Sequence, residues 1–507
     1  MVMRRDFRHT KIVCTLGPSS SSSEAIAALA KAGMNVARLN FSHGDHKSHL
    51  MVMRRIKSLN KSLNHPVSIL VDLQGPEIRT GERAKVLQLH PGQTLSITVM
   101  PEDDPEEHSV FVNYKSLVDD LKVGDKVTVD NGMINLEVLA KEEFRLRCRV
   151  LDGGPLGSRK HVNLPGIRVN LPSITEKDRT DIEFAVDQDC DFIAPSFVRS
   201  AEDVRQAREI IRAKDGHARV IAKIENQEGI DAFDEILAEA DGIMVARGDL
   251  GVELPMEEIP VVQRAISRKC AIAGKPVIVA THLLESMMTA PMPTRAEVTD
   301  VANAVYDQVD AIMLSGETAT GTHPVRCVQA MERIARRIEK EPGNDFFLAR
   351  SAAGSREELA RSACRLADAL GAAGILVITR RGLLGQLVAS YRPRSAIIYA
   401  FTNMSATPAS CGCSARWSRS AWPSRATRRR RSAPPSIAFA RTTASCRATR
   451  SSSSPTWPPA ARGSPASRYA PSSRRRRGGA GQSKPRGESE RRYGTMPSAS
   501  SSVKSQV

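Results

Sequence analysis

Two short polar strings, each reached through an apolar run, carry the chemistry that this chain can be expected to perform. AKIEN at 222–226 ends the run RVIAKIE, and ARGDLG at 246–251 follows the run GIMVARG. Lys223 and Glu225 are two positions apart on a predicted strand and so point to the same face, while Asp249 comes at the end of the next strand. One ammonium and two carboxylates that converge at strand ends suit a divalent cation, an anionic substrate and a developing charge. This combination is typical of phosphoryl transfer.

The elements that must position these groups alternate regularly along the chain. Short apolar runs predict eight strands, at 11–17, 35–41, 67–73, 191–197, 219–225, 242–248, 275–281 and 311–316. Amphipathic segments that fill most of the gaps, such as 202–214 and 324–340, predict helices. Continuous apolar strands separated by helices indicate a parallel sheet covered on its faces, and eight such units fit a (β/α)₈ barrel. The predicted fold class is therefore α/β, with a TIM barrel at its centre.

Other polar residues that could do chemistry also fall at the carboxyl ends of the predicted strands, where barrel enzymes place their active sites. Strand two ends in RLNFSHG, whose arginine, asparagine and serine alternate and so share one face. Strand three ends in DLQGPEIR, and strand seven ends in a threonine. The residues concerned are Arg38, Asn40, Ser42, His43, Asp72, Arg79 and Thr281. One cavity is therefore expected to receive two arginines, a lysine, three carboxylates and several hydroxyl or amide oxygens.

A long gap between the third and fourth predicted strands does not fit the barrel pattern. It holds alternating, strand-like segments such as QTLSITV, DKVTVDN and FRLRCRV, separated by turns rich in Gly, Asp and Pro. We interpret residues 76–172 as a small inserted all-β domain with a barrel form, and residues 1–75 and 173–346 as the catalytic barrel. Because the insertion leaves the barrel from the face where active sites form, it is placed to act as a lid.

A third unit begins near residue 347 and is incomplete. A helical stretch leads to the strand ILVIT at 375–379, and a second helical pattern leads to AIIYAF at 396–401. We therefore predict the start of a C-terminal α/β domain at 347–405, with too few βα units for an independent sheet. From 406 to 507 the sequence is rich in Arg, Ser and Pro with hardly any apolar periodicity, a composition typical of disorder.

The net charge of +17 is misleading, because this tail carries all of the excess. Residues 406–507 contain 21 Lys and Arg residues against two acidic ones, which gives the tail a charge of +19 and residues 1–405 a charge of −2. The body is therefore a nearly neutral globular protein. Arginine runs at 428–431 and 474–477 could bind nucleic acid nonspecifically. No interleaved aromatic residues support a specific single-strand site.

A change of reading frame also explains the composition of the tail. One permitted back-translation of residues 409–419, ASCGCSARWSR, gives KLWLLRAVVP when it is read two bases later. That peptide resembles a helix entering an apolar strand, which the incomplete domain needs at this point. We hypothesise that residues 406–507 are frame-shifted, with a genuine basic arm as the alternative. An uninterrupted frame around codons 404–410 in independent clones would overturn the hypothesis.

The cysteines and the first residues predict a cytoplasmic protein. The body contains six scattered cysteines, at positions 14, 148, 190, 270, 327 and 364, without a CxxC pair. This spacing favours reduced thiols over a disulfide or metal framework. The first residues include Arg4, Arg5 and Asp6 rather than an apolar segment, which argues against a secretory signal. No stretch approaches about 18 uninterrupted apolar residues, so no membrane span is expected.

Ten strings resemble, in their order and context, those of the pyruvate kinase family and cover most of residues 10–345. They are TKIVCTLGP, RLNFSHG, GPEIRTG, VNLPG, LPSITEKD, AKIEN, ARGDLG, LESM, PTRAEVTDVANAV and SGETA. The resemblance implies a TIM-barrel A domain, a β-rich B lid inserted after the third strand, and a C-terminal α/β domain. It also implies a phosphotransferase that moves the phosphoryl group of phosphoenolpyruvate to ADP and gives pyruvate and ATP, the last step of glycolysis.

Roles for residues that match the family's motifs follow from the same resemblance. Lys223 would stabilise the charge on the phosphoryl group in flight, Arg38 would contact the phosphate, and Thr281 would lie near the enolate carbon that must be protonated.

The substrate and metal contacts that the resemblance implies lie beside these residues. Glu225 and Asp249 would ligate Mg²⁺ or Mn²⁺ and through it the substrate, and the Gly248 amide would touch the substrate carboxylate. Oxygen ligands suit such hard cations.

The resemblance further implies a monovalent-cation site and a nucleotide site. The K⁺ ligands would be Asn40, Ser42, Asp72 and the carbonyl of Leu73. The nucleotide would meet Asn40, His43, Arg79 and Lys160. Leu73 and Gln74 form the pair seen in relatives that do not require K⁺, whereas Glu77 and Thr80 resemble the K⁺-dependent group. Because Glu77 supplies a charge that a bound cation would balance, we predict dependence on K⁺.

Three functional hypotheses remain open on the sequence. The first is an active pyruvate kinase, and the second is a catalytically impaired relative whose incomplete C domain destabilises the assembly. The third is a nucleic-acid-binding protein that acts through its basic tail. The resemblance implies a homo-oligomer, a tetramer in the family, and the incomplete C domain predicts a weakened or dimeric assembly. The expected partners are phosphoenolpyruvate and ADP, with neither a membrane nor a specific nucleic acid.

Overall fold

The computed structural model describes residues 8–63, 65–101, 108–379, 382–394 and 396–401, together with the backbone of Trp417–Ser418. Apart from those two residues, the predicted basic tail at 406–507 lies outside the described residues. The hypotheses about its reading frame and about nucleic-acid binding fall on that part of the chain and stay predictions.

Within the described residues, eight parallel strands close into a barrel, each at a predicted position. The strands are β1 (Lys11–Thr15), β2 (Val36–Asn40), β3 (Ser68–Asp72), β12 (Phe192–Ala194), β13 (Arg219–Ile224), β14 (Gly242–Ala246), β15 (Val277–Ala280) and β16 (Ala311–Leu314), and the intervening numbers belong to the segment inserted after β3. Each strand pairs with its neighbours in chain order, and β1 closes the barrel against β16, with Ile12 opposite Ile312. The predicted α/β fold with a TIM barrel is confirmed.

The barrel forms because its strands are apolar on both faces. Residues of one alternating set, such as Val13, Leu70 and Phe192, form a small cluster of their own. Residues of the other set, such as Ile12 and Ile69, belong to a larger cluster that includes the surrounding helices. Since successive residues of a strand point to opposite faces, burying both faces requires continuous apolar runs.

Helices cover the outside of the barrel, and capping motifs fix several of their starts. They are α1 (Ser23–Ala32), α2 (His46–Asn60), α4 (Glu176–Asp187), α5 (Ala201–Ala213), α6 (Gln227–Asp231), α7 (Phe233–Glu239), α8 (Arg247–Glu253), α9 (Glu258–Ala273), α10 (Arg295–Tyr306), α11 (Gly316–Ala319) and α12 (Pro324–Ile338), with a 3₁₀ turn at Glu285–Met288. Capping boxes begin α2 at Asp45 and α4 at Thr175. These caps fix the starts of two helices at the carboxyl end of the barrel.

The segment inserted after β3 is a β structure with its own core. Its strands are β4 (Leu87–Leu89), β5 (Thr94–Thr98), β6 (Ser109–Phe111), β7 (Lys126–Val129), β8 (Ile134–Lys141), β9 (Arg145–Asp152), β10 (Gly154–Leu156) and β11 (Val162–Asn163), and a helical turn, α3, spans Leu117–Asp120. Six of these described strands form one sheet in the order β11-β7-β8-β9-β5-β6, and β10 pairs with β4. Leu95, Leu136 and Cys148 belong to an apolar cluster confined to this segment. The domain limits 76–172 stay a prediction.

After the barrel, the chain forms the start of a second parallel sheet. A 3₁₀ turn at Phe346–Ala349 is followed by α13 (Ser355–Ala369), β17 (Gly374–Ile378), α14 (Leu383–Ser390), β18 (Ile397–Phe401) and β19 (Trp417–Ser418). The three strands are adjacent and parallel in the order β17-β18-β19. Val377 and Ile398 are buried in a cluster of their own, whereas Leu376 and Ile378 are 72% and 85% exposed. The limits 347–405 for this domain also stay a prediction.

The sequence predicted neither a membrane-spanning helix nor a disulfide, and the described residues bear on both points. None of their helices combines the length and the apolar character needed to cross a bilayer. The six cysteines among them are all buried, and no disulfide joins any two of these six.

Candidate active site

A cavity of about 480 Å³ lies at the carboxyl ends of the barrel strands and extends to the inserted segment. Its wall on the barrel side consists of Arg38, Asn40, Ser42, Ser196, Phe197, Lys223, Glu225 and Asp249. The rest of its wall consists of Gln74, Glu77, Arg79, Asp130, Asn131, Ser158, Arg159, Lys160 and His161. Eight of the predicted site residues therefore meet around one cavity, although they come from distant parts of the sequence.

Lys223, near the end of β13, is held by three groups. Its ammonium lies 3.0 Å from Asp72 Oδ1 and 2.9 Å from Glu225 Oε1. The same ammonium donates a hydrogen bond to Ser196 Oγ at 2.6 Å. Burial lowers the pKa of this lysine, but the carboxylates of Asp72, Glu225 and Asp249 outweigh burial, so the net pKa is raised. The ammonium is therefore charged at neutral pH and fixed in position.

Asp72, at the end of β3, is fully buried and holds two cations. Arg38 Nε donates to Asp72 Oδ2 at 2.5 Å, while the Lys223 ammonium approaches the other oxygen. Arg38 also donates to Thr15 Oγ1 at 2.9 Å, so its guanidinium is oriented from two sides. Burial raises the pKa of Asp72, but Arg38 and Lys223 outweigh burial and the net pKa is lowered. An ionised Asp72 thus positions both cations beside the cavity.

Glu225 supplies a buried carboxylate with one oxygen that accepts no hydrogen bond. Its Oε2 accepts from the backbone amide of Phe197 at 2.6 Å. Its Oε1 lies beside the Lys223 ammonium without hydrogen-bond geometry. Burial, together with the neighbouring Asp249, raises the pKa of Glu225 to about 7, because these effects outweigh the attraction of Lys223. This oxygen is therefore available to a cation that enters the cavity.

The donor set at this point fits a divalent cation bound together with a substrate. Asp249, in the first turn of α8, and Glu225 both line the cavity, and Glu225 Oε1 is buried without a hydrogen bond. Mg²⁺ usually takes one or two protein carboxylates and completes its shell with water and substrate oxygens. Among the described residues no group of three or more His, Cys, Asp or Glu forms a complete metal site. The residues present thus fit Mg²⁺ or Mn²⁺ held partly by an anionic ligand.

Thr281, which follows β15, has a strained backbone. Thr281 and His282 have φ values of +67° and +54°, a region that β-branched residues rarely adopt. Thr281 Oγ1 accepts a hydrogen bond from the Gly248 amide at 2.7 Å. Arg247 donates to the Thr281 carbonyl at 2.6 Å and to Asp300 Oδ1 at 2.7 Å. Arg247 was not predicted as a functional residue, although it lies inside the string ARGDLG.

The residues on the inserted side of the cavity are paired with one another. Lys160 Nζ lies 2.7 Å from Asp130 Oδ2, and Arg79 Nε donates to Glu77 Oε2 at 2.6 Å. Gln74 Nε2 donates to the same Glu77 oxygen at 2.9 Å. Burial raises the pKa of Glu77, but Arg79 outweighs burial and the net pKa is lowered. The charge of Glu77, on which the K⁺ prediction was based, is thus already balanced by Arg79 in this structure.

Ser196, which follows β12, links two parts of the site and was not predicted. It accepts from the Lys223 ammonium and donates to the Leu73 carbonyl at 2.7 Å. Ser196 is 3% exposed, so both hydrogen bonds are buried. Nothing in the sequence marks it, because a serine at a strand end carries no charge or motif. Its signal was only its position in the string DFIAPSF, the fourth predicted strand.

Not every predicted site residue reaches the wall of the cavity. Asp72 and Leu73 are buried, although Asp72 contacts two wall residues. Gly248 and Thr281 contact each other but do not line the cavity. The side chain of His43 is exposed and does not line it either, and the His43 carbonyl lies 2.8 Å from His49 Nε2.

The fold and the site together define a TIM-barrel enzyme that acts on a phosphorylated anion, because two lysines, three arginines and four carboxylates line one cavity. Residues 7–328 match the family described as "Pyruvate kinase, barrel domain". The chain is 48% identical to the pyruvate kinase of Geobacillus stearothermophilus over 404 residues, which are 78% of this chain and 69% of that relative. It is 46% identical to the pyruvate kinase of Dictyostelium discoideum over 406 residues, 77% of this chain and 80% of that relative. It is 41% identical to the pyruvate kinase of Clostridium acetobutylicum over 395 residues, which are 77% of this chain and 84% of that relative.

The chain belongs to the pyruvate kinase family, and the prediction drawn from ten strings is confirmed. It is an enzyme of the phosphotransferase class, as predicted. These comparisons do not favour the alternative of a nucleic-acid-binding protein.

Proposed function

We propose that the cavity at the carboxyl end of the barrel transfers the phosphoryl group of phosphoenolpyruvate to ADP and so gives pyruvate and ATP. One observation is the main support for placing this reaction in the cavity: the Lys223 ammonium is fixed between the carboxylates of Asp72 and Glu225 at the cavity wall. A charged group that is already in place costs no reorganisation when charge develops on the substrate.

In the transfer step, the bond between phosphorus and the enol oxygen breaks while a bond to a terminal oxygen of ADP forms. Charge then lies on the three other oxygens of the phosphoryl group, and catalysis is mainly positioning and electrostatic stabilisation. Lys223 stabilises this charge, and Arg38 holds the phosphate. Asp72 contacts the Arg38 guanidinium and the Lys223 ammonium and so sets the distance between these two side chains.

Glu225 and Asp249 would hold Mg²⁺ or Mn²⁺ at the same wall. When bound, that ion neutralises charge on the substrate oxygens and orients them. Gly248, just before Asp249, contacts the substrate carboxylate through its amide. That amide donates to Thr281 Oγ1 in this structure, so the carboxylate would share or replace this bond.

Loss of the phosphoryl group leaves an enolate, whose methylene carbon must take up a proton to give pyruvate. Thr281 is the residue that we place near this carbon. Its strained backbone is held by Arg247 and by the Gly248 amide, which supports a role that depends on an accurate position.

The K⁺ and nucleotide sites occupy the remaining walls. We place K⁺ on Asn40, Ser42, Asp72 and the Leu73 carbonyl. The nucleotide phosphates meet Asn40, His43, Arg79 and Lys160. Arg79 and Lys160 are paired with Glu77 and Asp130, so ADP would have to compete with these ion pairs. The inserted segment acts as the lid because it contributes to the cavity wall.

We further propose a homo-oligomer that is either a dimer or a weakened tetramer. The exposed Leu376 and Ile378 show that the described C-terminal sheet has one face without a covering layer. Light scattering at increasing salt would show dimers or a tetramer that dissociates, and a salt-stable tetramer would contradict the proposal.

The proposed reaction is tested by product stoichiometry with the purified full chain. Phosphoenolpyruvate, ADP and Mg²⁺ are supplied first with K⁺ and then with Na⁺. Equal amounts of pyruvate and ATP, with a faster rate in K⁺, are expected. Pyruvate without ATP would show a phosphatase instead, and equal rates in the two salts would remove the K⁺ site from the proposal.

A further inference from the structure

The loop that follows β2, residues 41–45, carries side chains of the proposed cation and nucleotide sites. Asn40 and Ser42, on either side of Phe41, both line the cavity, and Asn40 Oδ1 accepts from the Ser42 amide at 3.1 Å. The positions of these two side chains therefore depend on where the backbone of Phe41 lies. The Phe41 amide donates to the Asp72 carbonyl at 2.9 Å, which fixes one side of that peptide.

The carbonyl of Phe41 is fixed by a lysine from a helix that contributes nothing to the cavity wall. Lys177, in the first turn of α4, donates to the Phe41 carbonyl at 2.7 Å. It also donates to Asp181 Oδ2 at 2.7 Å, four residues along the same helix. Asp181 is 3% exposed, so the lysine is oriented by a buried carboxylate.

The same carboxylate holds the other end of the loop. His46 Nε2, at the start of α2, lies 2.6 Å from Asp181 Oδ1. The His46 ring stacks on Phe184 of α4 with centroids 4.2 Å apart, and the Phe41 ring stacks on His49 at the same distance. The loop is therefore held at the Phe41 carbonyl, at the helix that follows it and through the Phe41 ring.

We propose that Lys177, Asp181 and His46 form a clamp that positions Asn40 and Ser42, with Lys177 as the positioning residue. Asp181 contacts both His46 and Lys177, and Lys177 in turn donates to the Phe41 carbonyl. Loss of the lysine leaves the loop attached through Phe41 N and the stacked rings but frees the peptide between the two cavity-lining side chains. The clamp thus tunes the affinity for the monovalent cation; this consequence rests on the function proposed above.

The test compares Lys177→Met with the same substitution at a lysine that also donates to backbone carbonyls, but far from the site. Lys275, before β15, donates to the carbonyls of Leu237 and Ala238 at 2.6 and 2.7 Å. Lys275→Met is therefore the matched control, and Lys177→Arg is the conservative variant. The readouts are the K⁺ concentration for half-maximal rate, kcat at saturating K⁺, and amide hydrogen exchange of residues 41–45.

Lys177→Met is expected to raise the half-activating K⁺ concentration roughly tenfold, as typical for residues that orient metal ligands. Its kcat at saturating K⁺ stays within about twofold, exchange of residues 41–45 becomes faster, and Lys177→Arg restores most of the K⁺ response. Lys275→Met changes none of these quantities. If the unmodified chain responds to K⁺, an unchanged half-activating K⁺ concentration in Lys177→Met overturns the inference even when exchange is faster, because the clamp would then be only structural.

Failure of the proposed function is recognised separately. If the unmodified chain shows no K⁺ response, the proposed cation site fails and hydrogen exchange alone decides the clamp. Faster exchange of residues 41–45 in Lys177→Met but not in Lys275→Met then supports it, and equal exchange in both variants overturns it.

Discussion

The Lys223 ammonium lies 2.9 Å from Glu225 Oε1, so a charged donor and a proposed metal ligand are paired in this structure. Both are buried, and an unpaired charge in such a place would be costly. In the function proposed above, a cation held by Glu225 would leave Asp72 as the partner of Lys223, and the lysine charge would then be available to an anionic substrate. In this structure the two residues balance each other's charge.

Glu225→Gln should weaken the binding of Mn²⁺ by about tenfold or more, because it removes one of two proposed carboxylate ligands. Electron paramagnetic resonance of free Mn²⁺ in a titration measures this affinity. Glu317→Gln is a suitable control, since Glu317 is buried but accepts from the Leu284 and Ser315 amides outside the cavity. Equal Mn²⁺ affinities in the two variants would exclude Glu225 as a ligand.

Ser196→Ala should lower kcat by about tenfold, because the Lys223 ammonium loses a buried acceptor and the Leu73 carbonyl loses a donor. Ser267→Ala removes a similar buried hydroxyl outside the site. That hydroxyl donates to the Gln263 carbonyl at 2.8 Å. Steady-state rates and thermal unfolding midpoints are compared. The two variants should lose similar stability, and a similar loss of kcat in both would show that Ser196 has no particular role.

Arg247→Lys should lower kcat by about ten- to a hundredfold, because a lysine cannot reach both the Thr281 carbonyl and Asp300 with one planar group. Arg208 makes the same two kinds of contact, to the Glu239 carbonyl and to Asp241, elsewhere on the barrel.

Arg208→Lys is therefore the control for Arg247→Lys in the same steady-state assay. It should cost stability but leave kcat within about twofold. Unchanged kcat in Arg247→Lys would mean that the position of Thr281 does not limit the reaction.

Glu253, at the end of α8, predicts a pH-dependent stability. Burial raises its pKa to about 7 despite hydrogen bonds from the Gly166 amide and Asn163. The unfolded chain loses this proton near its ordinary pKa of about 4.3, whereas the folded chain keeps it to about 7. The stabilising contribution is thus fully present below the unfolded pKa and is lost as the pH rises through 7.

Glu253→Gln should therefore raise the unfolding midpoint at pH 8 relative to the unmodified chain, with little difference at pH 4. A gain of roughly 1–2 kcal/mol is expected after allowance for partial exposure. Glu257→Gln, on an exposed neighbour, is the control. Parallel pH profiles of Glu253→Gln and the unmodified chain would contradict the raised pKa.

The barrel and most of the site could be predicted because they depend on local patterns. Eight apolar runs mark the strands. Lys223 is placed by its strand, and Asp249 lies in the first turn of the helix that follows the next strand. Contacts that depend on tertiary packing could not be predicted. Ser196 and Lys177 act through backbone carbonyls distant in sequence, and the pairing of Glu77 with Arg79 depends on how one loop turns.

The most direct test of the account is the rate of ATP formation from phosphoenolpyruvate and ADP by Lys223→Met, measured beside Lys275→Met with both variants shown to be folded. Removal of the ammonium takes away the charge that faces the phosphoryl group, so the rate should fall by about a thousandfold or more. Lys275→Met should stay within about twofold of the unmodified chain. A Lys223→Met rate within tenfold of the unmodified chain would contradict the assignment of phosphoryl transfer to this cavity.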